Sequence, residues 1–522
     1  MRSRTLIALL AGACVTAGAA DATSIRLRTE RASVAPEGRS ADRPSSHPSI
    51  TPAGTVVAFD SAATNLAPDA NGPVRDVFTR DLRTGRTTLV SQGLDGAGGD
   101  GPSEFPVVAG KATPIVFTSR ATNLVPGDTN GARDIFARSG GGPIVRVSVT
   151  SRGGQPNGAS YEPDVSRDGR RIVFTSVADD LVPGDSNGVE DVFVRDLVAQ
   201  TTRRVSVRTG GASPRGRSRA PAISPDGRWV SFESTAADLV KRDTNRDPDV
   251  FLADLITGRI RRVSVSSREV QQNRAVAPGF VTVSDVSRDG RFVTWDSDAT
   301  NLVRGDLNRD TDVFVRDVGR GRTSLVSRAV NGRQADNDAY FPSISGDGRY
   351  VAFSSFAGNL FPGDRPGEDV FVHDRRLRAS VLLTVTARGR PRPAETVRQL
   401  LRRPSFSEGA RRVAFTSTAA LSNGEQDRVE DVFVRATDPP AGRVLSGPSG
   451  TIRTRRPRYR VTADDPAARF VCRLDGRRAY FCPRRGRLPR LTRGRHRFSI
   501  RAGGPGMLFD RTASVLRFRV RR

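Results

Sequence analysis

Short runs that are wholly apolar, or that alternate apolar with polar residues, recur along the whole chain and are set apart by clusters of Gly, Pro, Asn and Asp. One stretch reads Pro163-Asp164-Val165-Ser166, then Arg167-Asp168-Gly169-Arg170, then Ile172-Val173-Phe174-Thr175-Ser176. A long polar loop leads to Asp191-Val192-Phe193-Val194-Arg195-Asp196 and on to Arg203-Arg204-Val205-Ser206-Val207. Runs this short, rich in β-branched and aromatic residues, predict strands. No amphipathic helix follows the signal-like N-terminus.

The whole pattern repeats. Phe78, Phe136, Phe193, Phe251, Phe314, Phe371 and Phe433, each preceded by Asp-Val or Asp-Ile, are spaced by 58, 57, 58, 63, 57 and 62 residues. Four strands per unit make one blade of a β-propeller, and seven units follow without a break. Asp-Gly at Asp168-Gly169, Asp226-Gly227, Asp289-Gly290 and Asp347-Gly348 predicts a two-residue hairpin turn with positive φ between the first two strands. Units one, two and seven carry Pro52-Ala53-Gly54, Ala109-Gly110-Lys111 and Glu408-Gly409-Ala410 there instead.

The combination Ser-x-Asp-Gly-Arg, an apolar Phe-containing strand and Asp-[Val/Ile]-Phe-Val-x-Asp resembles the WD-like, TolB-type propeller repeat of bacterial exported proteins, over about residues 45–440. The resemblance implies a fold more than a task, because that family includes binding platforms, complex subunits and peptidase-associated gates. The expected fold is all-β: a seven-bladed β-propeller over residues 20–440, followed by a small immunoglobulin-like β-sandwich over 441–522. Unit seven lacks a fourth strand after Val434-Arg435, and Ser24-Ile25-Arg26-Leu27-Arg28-Thr29 is expected to supply it, closing the ring and removing its exposed edges.

Arg2 and Arg4, an apolar run from Leu6 to Val15 and Ala17-Gly18-Ala19 have the order of a secretory signal peptide over residues 1–19, and no later segment is long and apolar enough to span a bilayer. The protein is therefore expected outside the cytoplasm, associated with the cell envelope. Lipid attachment at Cys14 is the rival expectation, although Ala11 stands where a leucine is usual. The remaining pair, Cys472 and Cys482, reads as a disulfide across a hairpin.

Between the second and third strands lies a loop such as Asn123-Leu124-Val125-Pro126-Gly127-Asp128-Thr129-Asn130-Gly131, copied in most units. Its alternating oxygens suggest calcium, best in Asp243, Asn245, Asp247 and Asp249 of unit four and Asp306, Asn308, Asp310 and Asp312 of unit five. The structural alternatives are Asp and Asn capping their own turns, the last Asp binding backbone amides at the start of a strand, and a collar of loops under which Leu124, Leu181, Leu239, Leu302 and Leu360 are tucked.

The formal charge of +27 is unevenly held: residues 441–522 contain 23 Arg and 4 Asp, a net of +19, leaving +8 for everything before them. Lys111 and Lys241 are the only lysines, so the arginine bias also fits a GC-rich coding sequence. The tail, with Phe470-Val471-Cys472-Arg473-Leu474-Asp475-Gly476 and Arg495-His496-Arg497-Phe498-Ser499-Ile500, resembles the small immunoglobulin-like modules at the C-termini of exported actinobacterial-type proteins. Such a charge suits an anionic envelope polymer, and the scarcity of aromatics argues against sequence-specific nucleic-acid reading. His47, His373 and His496 stand in no ligand or triad motif, so the reading is a non-enzymatic binding or scaffold propeller with an unidentified protein or polysaccharide ligand, expected to be a monomer. The alternative is a glycoside hydrolase or polysaccharide lyase using carboxylates in the propeller funnel. A carboxylate present in one blade only would favour it.

Overall fold

The computed structural model describes residues 29–521 except 69–71, 112, 209, 246, 275–281, 365–366, 387–402, 419–420, 422–428 and 466–467. The expected signal segment, Cys14 and residues 24–28 of the expected closing strand lie outside the described residues. Among those described there is no α-helix, and seven four-stranded antiparallel sheets follow one another. The third is typical: Ser160–Val165, Arg171–Ser176, Asp191–Asp196 and Thr201–Arg204, paired in chain order. The first strand of each sheet packs on that of the next, and that of the seventh packs on that of the first. This is the arrangement of a β-propeller.

Its core is written by the apolar positions. The Phe used as a ruler lies opposite an aromatic of the second strand in every sheet, as in Phe174 with Phe193 and Trp295 with Phe314, all fully buried. The rings stack with centroids 5.7–6.2 Å apart. The leucines expected beneath the loops are buried too, from Leu124 to Leu360.

A polar device accompanies the apolar one. The aspartate that opens each third strand accepts a hydrogen bond from a hydroxyl leaving the fourth: Ser91 to Asp76 at 2.7 Å, Ser148 to Asp134 at 2.6 Å and Ser206 to Asp191 at 2.6 Å. The same hydroxyl accepts from the next backbone N–H, Val192 to Ser206 at 3.0 Å for example, so a buried carboxylate and a buried amide share one partner. Burial pushes Asp76 and Asp191 up to about 6.

Ring closure uses that device. Thr29–Arg31 pairs with Asp431–Ala436, Arg31 facing Phe433 as Arg204 faces Phe193, and Ser33 donates to Asp431 at 2.6 Å. Arg31-Ala32-Ser33-Val34 is thus the counterpart of Arg204-Val205-Ser206-Val207, later in the chain than the expected segment 24–29, of which Thr29 alone is among the paired residues described. The earlier segment imitates the alternation but lacks the serine at the position that reaches the carboxylate.

The Asp-Gly turns also differ from expectation. Gly169 N–H bonds Ser166 O at 2.9 Å, only the glycine is left-handed (φ 74°), and Asp168 Oδ1 accepts from Ser166 Oγ and Arg170 N. This is a four-residue turn closed by glycine, with the aspartate as its cap. In the tail, by contrast, Asp475 and Gly476 both have positive φ, 49° and 71°, as a two-residue hairpin requires.

The tail has two sheets over one core. Gly442–Ser446, Arg458–Ala463 and Arg485–Arg487 form one; Gly450–Ile452, Ser514–Val520, Gly494–Gly503, Arg469–Leu474 and Tyr480–Cys482 form the other. Tyr459, Val461, Phe470, Phe498, Ile500 and Phe518 meet between them. The disulfide Cys472–Cys482 joins neighbouring strands with Cα atoms 5.8 Å apart. The tail is also docked on the propeller: Val471, Ala479, Leu508 and Phe509 share a core with Tyr350, Val372, Leu377 and Val413, and Gly506 and Leu508 donate to Leu382 O and Thr437 O.

Candidate functional site

The first strands of the sheets surround the propeller axis, and their sequence differences decide what the axis presents. At the end carrying the first turns, the residue after the turn's first position is Pro52, Gly110, Arg167, Pro225, Arg288, Gly346 or Glu408. Backbone bonds link neighbours here, including Glu408 N to Pro52 O at 2.7 Å and Arg167 N to Pro225 O at 3.1 Å. Glu408 reaches Arg167, 2.8 Å away, and Arg288, tying the seventh sheet to the third and fifth. Hydrogen bonds from these two guanidinium groups hold its carboxyl below the usual carboxylate range.

One layer deeper the charges invert. Arg403 of the seventh sheet lies 3.0 Å from Asp285 of the fifth, and Asp164 of the third shares this environment. Burial pushes Asp164 up to about 6, against the pull of Arg403. Burial also opposes the charge of Arg403, but Asp285 and Asp164 prevail and raise it. Asp164 and Asp285 further staple the sheets, accepting from Ile223 N and Ile344 N at 2.8 Å.

Towards the other end, five first strands bulge, and His47, Phe105, Glu162, Ala220 and Phe341 take positive φ between 48° and 56°. The bulge turns a backbone N–H towards the neighbouring sheet. Phe105 N meets Asp60 at 3.0 Å, Ala220 N meets Glu162 at 2.8 Å and Phe341 N meets Asp296 at 3.0 Å. Burial raises Glu162, and lifts Asp296 to about 7. Asp60 is fully buried, yet His47 (2.6 Å) and Arg75 outweigh its burial and hold it low. His47 rests on Phe105, with ring centroids 4.1 Å apart.

The carboxylates of the axis are therefore spent on guanidinium groups or on backbone amides. Glu104, Glu162 and Glu408 are acids present in one unit only, the kind that would have favoured catalysis; Arg133 holds the first, Thr175 Oγ1 and Ala220 N the second, and two arginines the third. Sequence reasoning missed this system because Arg167, Arg288 and Glu408 sit at a turn position read only for its glycine.

The calcium candidates lie elsewhere, in the loops between second and third strands. In unit four the Arg262 guanidinium stands between Asp243 (3.4 Å) and Asp249 (3.2 Å), while Asn245 donates to Gln272 O and Asp249 also takes the Ser264 hydroxyl. An internal cation thus fills the position expected for calcium, as Arg146 and Arg204 do in the two units before. Unit five has Leu325 in place of that arginine. There Gln334 Nε2 lies 2.6 Å from Asp306, 2.8 Å from Asn308 and 2.7 Å from Asp312. Asp247 and Asp310 join neither set, and among the described residues no three His, Cys, Asp or Glu side chains are grouped to hold a metal.

The propeller's arginines also bind sheet to sheet. Arg138 donates to Val90 O at 2.8 Å, Arg316 to Ser266 O at 3.2 Å and Arg435 to Leu383 O at 2.8 Å, each reaching the outgoing strand of the preceding sheet. Arg435 is wholly buried and held down to about 9 by that burial. The tail differs. Arg458, Arg460, Arg485, Arg487, Arg495, Arg497, Arg517 and Arg519 are all exposed on its strands.

No protein-family model matches the chain, and no curated protein does. Among solved structures the chain is similar to a putative TolB from Agrobacterium tumefaciens, at 16% identity over 54% of this chain and 80% of that one, with a TM-score of 0.34. It is similar to TolB from Acinetobacter baumannii at 15% identity over 72% and 76%, TM-score 0.35. It is also similar to an oligogalacturonate lyase from Vibrio parahaemolyticus at 12% identity over 79% and 97%, TM-score 0.46.

Proposed function

We propose that this chain is an exported, non-enzymatic, seven-bladed β-propeller that acts as a binding platform and is held to anionic polymers of the cell envelope by its C-terminal module. One contrast carries the reading: many arginines of the propeller bind carboxylates and carbonyls within the fold and its exposed ones, such as Arg86, Arg203, Arg261 and Arg322, stand singly on the fourth strands, whereas the tail sets eight exposed arginines directly opposite one another in pairs. The disulfide fits an oxidising compartment, and the parallel pairing of Gly450–Ile452 with the last strand supports an immunoglobulin-like module. The funnel-carboxylate hydrolase or lyase is weaker, because the axial acids already have partners.

Calcium narrows to unit five, where the oxygens of Asp306, Asn308 and Asp312 converge on one point, taken by the amide nitrogen of Gln334. Bound there, calcium would supply fixed charge to the loop and no chemistry.

The test is retention of the purified chain on envelope polymer. Binding that weakens steeply with salt is expected. Salt-insensitive retention, or none at low salt, would overturn the assignment.

A further inference from the structure

The geometry points to two separate arginine ladders on the C-terminal module, each taking one strand of a phosphodiester polymer, so that one module bridges two strands; this rests on the anionic-polymer reading above. On the three-stranded sheet Arg458 lies opposite Arg487 and Arg460 opposite Arg485. On the five-stranded sheet Arg495 lies opposite Arg519 and Arg497 opposite Arg517. The residues between them, Tyr459 on one sheet and His496, Phe498 and Phe518 on the other, are buried inward, so the pleat aims both sets of arginines outward.

Like charges placed directly opposite destabilise a sheet. Among the described residues none of the eight makes an ion pair, and Asp475, the acid beside Arg497, is occupied by His496 at 2.8 Å. Four such cross-strand pairs in one small module leave a dense, unbalanced positive charge that a bound polyanion would neutralise.

Spacing names its chemistry. Arginines two residues apart leave the strand about 6.8 Å from each other, and their Cβ atoms stand about 5 Å from those of the partners across it. Each cross-strand pair can grip one phosphate with parallel N–H donors, and the next pair the phosphate that follows. A phosphodiester lies within its polymer backbone and presents two non-bridging oxygens that share its charge, a match for two donors, whereas the carboxylates of a polyuronate hang from the sugar rings. The module's aromatics are built into its core or packed against it, so neither ladder offers a platform for stacking bases.

The two-strand geometry follows from the layers. The sheets share one core and lie about 10 Å apart, so their outer faces point in opposite directions. Part of the five-stranded sheet's outer face is docked on the propeller through Val471 and Arg473, the latter donating to Leu377 O. That confines its ladder to the last two long strands.

The full chain would be mixed with a glycerol-phosphate polymer, with duplex DNA and with polygalacturonate, following labelled polymer by anisotropy and bridging by light scattering. Two variants each remove one ladder: Arg458→Ser, Arg460→Ser, Arg485→Ser and Arg487→Ser together, or Arg495→Ser, Arg497→Ser, Arg517→Ser and Arg519→Ser together. Each variant is expected to bind the glycerol-phosphate polymer still, with the log–log salt slope reduced by about 1.4 for two lost phosphates, and to lose scattering. Melting temperature should hold or rise as like-charge pairs vanish, which guards against misfolding as the cause. Undiminished scattering in both variants would sink the bridge. Polygalacturonate bound as tightly as the phosphate polymer would sink the phosphodiester assignment and spare the function proposed above, while binding to none would sink both. Preference for the glycerol-phosphate polymer over duplex DNA supports a wall polymer as the source; the reverse preference moves the source to extracellular DNA and overturns the envelope assignment.

Discussion

Arg228 Nη2 lies 2.8 Å from Asp254 Oδ2 and Arg228 Nε 2.9 Å from Asp254 Oδ1, so the arginine after an Asp-Gly turn grips the aspartate that ends the third strand of the same sheet. The pair recurs as Arg170 with Asp196, Arg291 with Asp317 and Arg349 with Asp374. In three of the four the guanidinium also lies over the aromatic ring that follows it, 4.7–4.8 Å from the centroid of Trp229, Phe292 or Tyr350. Two motifs that look independent in sequence are one clasp.

Asp254→Ala should lower stability by about 1–3 kcal/mol, because it strands Ile256 N–H and the Thr257 hydroxyl as well as the guanidinium. Arg228 is partly exposed, so solvent screens some of the ion pair. The hydrogen bond from Arg228 is the main reason that the Asp254 carboxyl is held far below its usual range. Its stabilisation is therefore present above the unfolded carboxylate value and lost as pH falls towards the folded one. Melting curves across pH 2–5 should be flatter in the variant; an unchanged profile would refute the clasp.

Asp296 has the opposite sign. Burial lifts it to about 7, so between the ordinary carboxylate value and pH 7 the folded state holds a proton that the unfolded state has released. Its contribution to stability falls as pH rises through that window. Asp296→Asn should remove this slope whatever it does to stability at any single pH, as denaturation at several pH values would read.

For calcium, metal analysis after purification in calcium should find one ion per chain, lost in Asp306→Ala and retained in Asp243→Ala, where Arg262 already fills the loop. Equal metal in all three proteins would exclude unit five, and none in the parent would end the calcium reading.

Truncation tests closure. A chain beginning at residue 29 should melt as the full chain does, while one beginning at residue 35 loses Thr29–Arg31 and Ser33 and should melt lower or aggregate at the bared strand edge. Identical melting of the two would show that the seventh sheet stands without its fourth strand.

The repeat was plain in sequence because a buried aromatic pair must recur wherever second and third strands meet. Strand order and the leucine collar came with it. The turn type was not legible, since Asp-Gly serves a four-residue turn at Asp168 and a two-residue turn at Asp475, and the flanking hydrogen bonds make the difference. The closing strand was misplaced because alternation alone is common, whereas Ser33 has meaning only opposite Asp431. The loop carboxylates looked like cation ligands for a sound reason: they do hold a cation in unit four, but it is Arg262, nineteen residues beyond Asp243.

Ser33 and Asp431 are separated by 398 residues. A ribosome adding about 5–20 residues per second needs roughly 20–80 s to make the second after the first. Through all of that interval the oldest strand has no mate, so the ring cannot be closed before the chain is nearly complete. The circle therefore becomes a circle only when its newest strands meet its first, which ties its proper folding to the wait.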